Sequence, residues 1–175
     1  MPVQVEAIIA LGSDLAGDFP SVEALLEAAV ARLDGIGLSV LRRSSLWASA
    51  AWPDASQPPY LNAVALVQTP LGPEEAMGAL LGLERAFGRE RGVPNAPRTL
   101  DLDLIDHGGV VLEGPDLVLP HPRAHERLFV MGPLAEIAPD WRHPAMGLCA
   151  AELAERATVG RDARAVSRPG SRIAT

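Results

Sequence analysis

The sequence predicts a mixed α and β domain with elements in the order strand, helix, strand, strand, helix, strand, and three observations carry the prediction. Two segments, 20–34 and 73–87, repeat apolar residues at helical spacing between start and stop signals. Four others are short, rich in Val, Ile or Leu, and bounded by glycine, proline or polar clusters. The 175 residues, 48% hydrophobic and 21% charged, suit one globular domain with a sizeable core.

Val3 to Leu11 reads as a first strand that runs into the polar Gly12-Ser13-Asp14. Val22, Leu25, Leu26, Ala29, Val30 and Leu33 then line one face of a helix, which starts near Asp18 to Ser21 and stops at Gly35 and Gly37. Leu38 to Trp47 alternates only in part, whereas Leu61 to Thr69 is a better strand. The Ala48 to Pro59 segment between them holds three prolines and exceeds ordinary hairpin length, which makes it either functional or loosely ordered. Pro73-Glu74-Glu75 opens a second helix, its proline and acids suited to a first turn, and Phe87-Gly88 ends it. Residues 89–97 (RERGVPNAP) read as a mobile loop before the alternating strand Thr99 to Ile105. A short strand at Val110 to Leu112, a helix at Leu128 to Ile137 broken near Pro133, and a frayed tail from residue 160 complete the expectation, with the domain spanning 1–159.

Composition excludes several function classes. Net charge is −7, carried wholly by residues 1–84, so general nucleic-acid binding is disfavoured. All fifteen cationic residues are arginines, which removes the Walker A lysine, the protein-kinase strand lysine and any lysine Schiff base. Neither a phosphate-binding P-loop nor a dinucleotide G-x-G-x-x-G occurs. Cys149 is alone, so no internal disulfide or multi-cysteine zinc site forms. With no bilayer-length apolar run, and no basic residue before Arg32, a cytoplasmic protein without membrane contact is expected.

The chemistry concentrates around Asp101 and Asp103. In a strand, residues i and i+2 share a face about 6.5–7 Å apart, so Leu100, Leu102 and Leu104 enter the core while both carboxylates point outward together. Taken alone, the pair reads first as a solvated strand face, with a Mg²⁺ site completed by substrate phosphates as the alternative. Arg85, Arg89, Arg91 and Arg98 just upstream favour the second reading, since guanidiniums neutralise phosphate oxygens and phosphoryl transfer needs both parts. His121, in the stiff Leu-Pro-His-Pro-Arg segment, suits phosphate contact; Pro122 disfavours a helix that would aim it and His125 at zinc. Tyr60 and Asn62 share a strand face: the ring offers either stacking or core packing, the amide either recognition of a heterocycle edge or a turn bond. By spacing alone Phe129 reads as core.

Taken together, Ala10-Leu-Gly-Ser13, Gln57-Pro-Pro-Tyr-Leu-Asn62, Leu83-Glu84, Gly88-Arg-Glu-Arg91, Pro97-Arg-Thr-Leu-Asp-Leu-Asp103, Pro120-His121, Arg127-Leu-Phe129 and Pro133-Leu-Ala-Glu-Ile-Ala-Pro139 resemble the 6-hydroxymethyl-7,8-dihydropterin pyrophosphokinases of folate biosynthesis. The motifs come in that family's order over about residues 5–147. The resemblance implies an α+β, ferredoxin-like core, with a mainly antiparallel sheet and helices packed on it. It further implies transfer of pyrophosphate from ATP to the pterin hydroxymethyl group, with release of AMP.

By the same resemblance, Asp101 and Asp103 hold two Mg²⁺ ions, and Arg89 and Arg98 serve the transfer. Glu84, Arg91, His121 and Arg127 bind ATP, while Tyr60, Asn62 and Phe129 bind the pterin. ATP and the pterin are the expected partners, with no obligate protein partner. Three positions depart from the family pattern: Asn95 stands where a Trp is usual, Asp14 replaces an Asn, and Ser49-Ala-Ala-Trp52-Pro53 replaces a T-x-P segment.

Overall fold

A computed structural model describes residues 3–50, 56, 58–88 and 99–166. The first half comprises β1 (Val5–Ser13), α1 (Val22–Leu33), β2 (Ser39–Arg43), β3 (Trp47–Ser49), β4 (Tyr60–Thr69) and α2 (Pro73–Ala86). The second comprises β5 (Asp101–His107), β6 (Leu112–Glu113), β7 (Val118–Leu119), α3 (Leu128–Ile137), α4 (Ala150–Arg156) and β8 (Arg164–Ala165).

Local chemistry sets the helix starts as the sequence predicts. Ser21 caps α1, its hydroxyl accepting from the Ala24 N–H at 3.0 Å. In α2, Pro73 takes the first position and Glu75 reaches back to the Gly72 N–H at 3.1 Å.

The main sheet runs β5-β1-β4-β3-β8, with β2 also paired to β4 and every pairing antiparallel. β2 and β3 lie along the same neighbour as one interrupted strand. The resulting order of fourth, first, third and second strands is the ferredoxin-like arrangement. Helices cover both faces: Ala7, Ile9 and Leu11 pack with α1 and α2, while Ile8, Val64 and Leu66 pack with α3 and α4. Two-sided burial explains why β1 and β4 read as continuous apolar runs. No described helix is long and apolar enough to cross a membrane.

Several expectations are corrected. The 38–47 strand splits because Ser44 interrupts it, its hydroxyl accepting from Val64 N–H at 2.9 Å, while the Glu136 carboxylate of α3 accepts from Ser45 N–H, Ser45 Oγ and Trp47 Nε1. Helix α3 is continuous through Pro133. The missing N–H costs one bond, but Met131 donates to Arg127 O before it (2.9 Å) and Ala138 to Leu134 O after it (2.8 Å). The expected strand at 110–112 is realised at Leu112–Glu113, paired with Val118–Leu119. Residues 160–166, expected to fray, lie against the sheet: Arg164 and Ala165 pair with Ala48 and Trp47, and Val166 N–H donates to Leu46 O at 2.8 Å.

Candidate active site

One cross-strand row organises the site. Asp101 pairs with Gly12, Gly12 with Asn62, and Asn62 with Trp47, so all four positions share one sheet face. α3 and α4 cover that face farther along, over Ile8, Val64 and Leu66. Asp103 sits two residues beyond Asp101, opposite Ala10 on the same face. Leu100, Leu102 and Leu104 are buried beneath, as the alternation requires, and both carboxylate residues are half-buried. A one-residue slip of β5 would bury two carboxylates and expose three leucines, so the register is strongly specified.

Gly12 is the open square of the row. A Cβ there would lie 2.3 Å from Cε1 of Tyr60, so the Tyr60 ring occupies the volume a side chain would take. The Tyr60 hydroxyl approaches an Asp101 oxygen at 3.5 Å. Beside it, Asn62 is 4% exposed, and its Nδ2 donates to Ser49 Oγ (3.1 Å) and faces Trp47 O (3.4 Å). Carbonyl acceptors at Trp47 and Tyr60 fix the amide's orientation, leaving Oδ1 as its acceptor end. Trp47 packs against Gly132 of α3, where a Cβ would come within 2.6 Å of the indole.

The outer edge of β5 carries a second group. Glu84 of α2 is 2% exposed, and its carboxylate accepts from Leu102 N–H at 2.8 Å, between the two aspartates in sequence. Ser13, fully buried, donates to Thr99 O at 2.6 Å and so ties the end of β1 to the start of β5. The His121 N–H donates to Ile105 O at 2.9 Å, holding its loop to β5 after the cis Leu119–Pro120 bond. A cleft of about 280 Å³ opens here between Asp103, His121 and the apolar Met77, Leu117 and Val118.

His121 is neutral in this setting. Burial first, then the nearby Arg127 and Arg123 guanidiniums, lower its pKa from 6.5 to about 4, against an opposing pull from Asp101. Its Nδ1 accepts from Arg123 N–H at 3.2 Å, so the remaining proton sits on Nε2, which is a neutral donor. Arg127 also stands over the Phe129 ring, 5.8 Å from its centroid. Arg127 thus links the expected nucleotide group to the expected pterin group.

Among the described residues, no three His, Cys, Asp or Glu side chains gather to hold a metal. Asp101 and Asp103 nevertheless suit a hard cation that keeps most of its shell for water and phosphate, the habit of Mg²⁺. The structure therefore brings together Asp101, Asp103, Tyr60 and Asn62 on one face, with His121 and Arg127 adjoining. It sets Glu84 apart, on the strand edge. Arg89, Arg91 and Arg98 lie outside the described residues, as do Asn95 and the Trp52-Pro53 pair. The sequence assigns no role to Gly12, Trp47, Ser49 or Glu136, although Gly12 and Glu136 stand within the family-like motifs and Ser49 opens the segment that departs from them.

Residues 8–139 match the family of 7,8-dihydro-6-hydroxymethylpterin-pyrophosphokinase (HPPK). The 2-amino-4-hydroxy-6-hydroxymethyldihydropteridine pyrophosphokinase of Synechocystis is 41% identical over 151 residues, covering 86% of this chain and 75% of the relative. Its counterpart from Pseudomonas aeruginosa is 40% identical over 136 residues, covering 78% and 82%. The folic acid synthesis protein fol1 of Pneumocystis carinii is 36% identical over 85% of this chain, which spans only 20% of that longer protein. Among solved structures, wild-type Plasmodium falciparum HPPK-DHPS with pteroate superposes with a TM-score of 0.72 at 10% identity. That match covers 96% of this chain and 49% of the other, about half its length, and speaks to the fold alone.

Proposed function

The chain belongs to the 7,8-dihydro-6-hydroxymethylpterin-pyrophosphokinase family, and from that membership we propose that it transfers pyrophosphate from ATP to the hydroxymethyl group of 6-hydroxymethyl-7,8-dihydropterin, releasing AMP, in folate synthesis. The observation that carries the reading at this site is the row Asp101, Gly12, Asn62, Trp47. Together with Asp103 and Tyr60 on the same face, it combines a carboxylate pair for cation-bound phosphates with a ring and an amide for a flat heterocycle.

In this reading ATP lies along the outer edge of β5, its base toward the cleft beside Met77, Leu117 and Val118. The Nε2–H of His121 and the guanidiniums of Arg127 and Arg91 receive phosphate oxygens. The pterin stacks on Tyr60 and Phe129, and Asn62 Oδ1 accepts from its N–H edge. Asp101 and Asp103 would hold two Mg²⁺ ions, which when bound supply charge neutralisation at the ATP phosphates. The hydroxymethyl oxygen attacks the β-phosphorus in line and loses its proton to solvent, and the bond from that phosphorus to the oxygen of AMP breaks. Arg89 and Arg98 offset the charge that shifts onto the transferred and leaving oxygens. Catalysis is then positioning and electrostatics with no covalent enzyme intermediate, and the reaction is assigned to the cytoplasm.

The test is AMP formation by the purified protein given Mg²⁺, ATP and 6-hydroxymethyl-7,8-dihydropterin, with Asp101→Ala as control. AMP from the wild type alone supports the reaction and the role of the aspartate. Absence of AMP from the wild type, with thermal stabilisation by the pterin, would mean binding without transfer and overturn the proposal.

A further inference from the structure

We infer that residues 158–166 are a positioning clamp for the pterin half of the site, with Gly160 supporting the Phe129 ring and Asp162 holding the end of β3. The inference rests on the reading of Tyr60, Asn62 and Phe129 as the pterin-binding set.

After α4 the chain turns back across the start of α3. Thr158 and Val159 N–H groups both donate to Glu126 O (3.0 and 2.9 Å), and Leu128 N–H donates to Val159 O at 2.9 Å. Glu126 and Leu128, both just before Phe129, are therefore tied to the segment's backbone. Gly160 has φ +70, and a Cβ there would meet Phe129 Cδ1 at 2.5 Å. Both the left-handed turn and the close approach of the ring require glycine. Arg161 fastens the turn, its Nη1 donating to the carbonyls of Ala154, Glu155 and Ala157 at the end of α4 (3.4, 3.4 and 3.2 Å).

The same segment then reaches the other half of the site. The Asp162 carboxylate accepts from Ala50 N–H at 2.6 Å. Ala50 follows Ser49, whose hydroxyl holds the Asn62 amide at 3.1 Å. Pairing of Arg164 and Ala165 with β3, together with the Val166 to Leu46 bond, continues the hold past Trp47. One stretch of nine residues thus touches Phe129 on one side and the strand that orients Asn62 on the other.

This segment contributes little to the core. Ala163 is its one buried side chain; neither hydrophobic cluster includes any of its residues, and Arg161, Asp162, Arg164, Ala165 and Val166 are exposed. A role confined to fold stability would draw on buried apolar area, which most of the stretch lacks. Two of its contacts, Gly160 against Phe129 and Asp162 to the Ala50 N–H beside Ser49, bear on the groups proposed to face the pterin.

Steady-state kinetics with each substrate varied in turn test the clamp in Asp162→Ala, Asp162→Asn and Gly160→Ala. Asp162→Ala raises the pterin KM about fivefold, the scale of one charge-assisted hydrogen bond partly recovered from water, and leaves kcat and the ATP KM within about twofold. Asp162→Asn keeps an acceptor oxygen and restores a pterin KM near the wild-type value. Gly160→Ala, which pushes on the ring, raises the pterin KM about tenfold. An unchanged pterin KM in both alanine variants overturns the inference, as does an equal rise in both KM values with a lowered melting temperature. If the wild type neither turns over nor binds the pterin in a fluorescence titration, the functional reading fails and this inference falls with it. A wild type that turns over, with indifferent variants, sinks the clamp alone.

Discussion

The Tyr60 ring lies where the side chain of residue 12 would be, with Cε1 2.3 Å from the position of an added Cβ. Gly12→Ala therefore forces the ring off the strand surface and away from Asp101. The pterin KM should rise about tenfold, toward the lower end of the range for a forced overpacking of about 1–3 kcal/mol, while the ATP KM stays within about twofold. Initial-rate measurements with each substrate varied in turn decide this, and a normal pterin KM would remove Tyr60 from the binding surface.

Asp101→Ala and Asp103→Ala each remove a carboxylate from the shared face of β5. Turnover should fall by about 10³-fold or more, in line with losing a preorganised electrostatic contact in phosphoryl transfer. Pterin binding, followed by its fluorescence, should change little. Either variant turning over at a near-normal rate would refute the metal assignment.

Glu84 couples α2 to the strand that bears both aspartates. Glu84→Ala leaves the Leu102 N–H without this carboxylate, which is 2.8 Å away in the protein, and should lower stability by about 1–3 kcal/mol. Glu84→Gln keeps an acceptor oxygen and should recover most of the loss. Thermal and urea unfolding of the two variants provide the comparison; equal stability would show that the buried contact contributes nothing.

The lowered pKa of His121, from 6.5 to about 4, gives stability a pH dependence of definite sign. Between those values the unfolded chain binds a proton that the folded chain does not, so stability rises with pH. The contribution is fully present above about pH 6.5 and is lost as pH falls toward about 4. His121→Gln, which cannot titrate, should lose less stability than the wild type over that window. Urea midpoints at pH 7, 5.5 and 4.5 measure the difference, and parallel curves would argue that the histidine is exposed and ordinary.

Much of the architecture was legible because each element is announced locally. Ser21, Pro73 and Glu75 mark helix starts through bonds made within a few residues. The alternation from Leu100 to Asp103 is a two-residue period, so the facing of the carboxylates follows from backbone geometry. The errors share one cause. The break at Ser44, the unbroken helix through Pro133 and the paired 164–165 strand all depend on partners distant in the chain: Val64 and Glu136, the buried setting of α3, and β3.

By itself the sequence determined which groups can do the chemistry: two carboxylates on one strand face, a run of arginines without lysine, and a family pattern spread over about residues 5–147. Only the tertiary structure decided what those groups meet. Strand register set Gly12 between Asp101 and Asn62 and so made room for the Tyr60 ring, burial among arginines made His121 a neutral donor, and the returning chain brought Gly160 against Phe129. Side-chain periodicity is a property of neighbouring residues, whereas register, desolvation and close approach arise only when remote segments occupy the same volume.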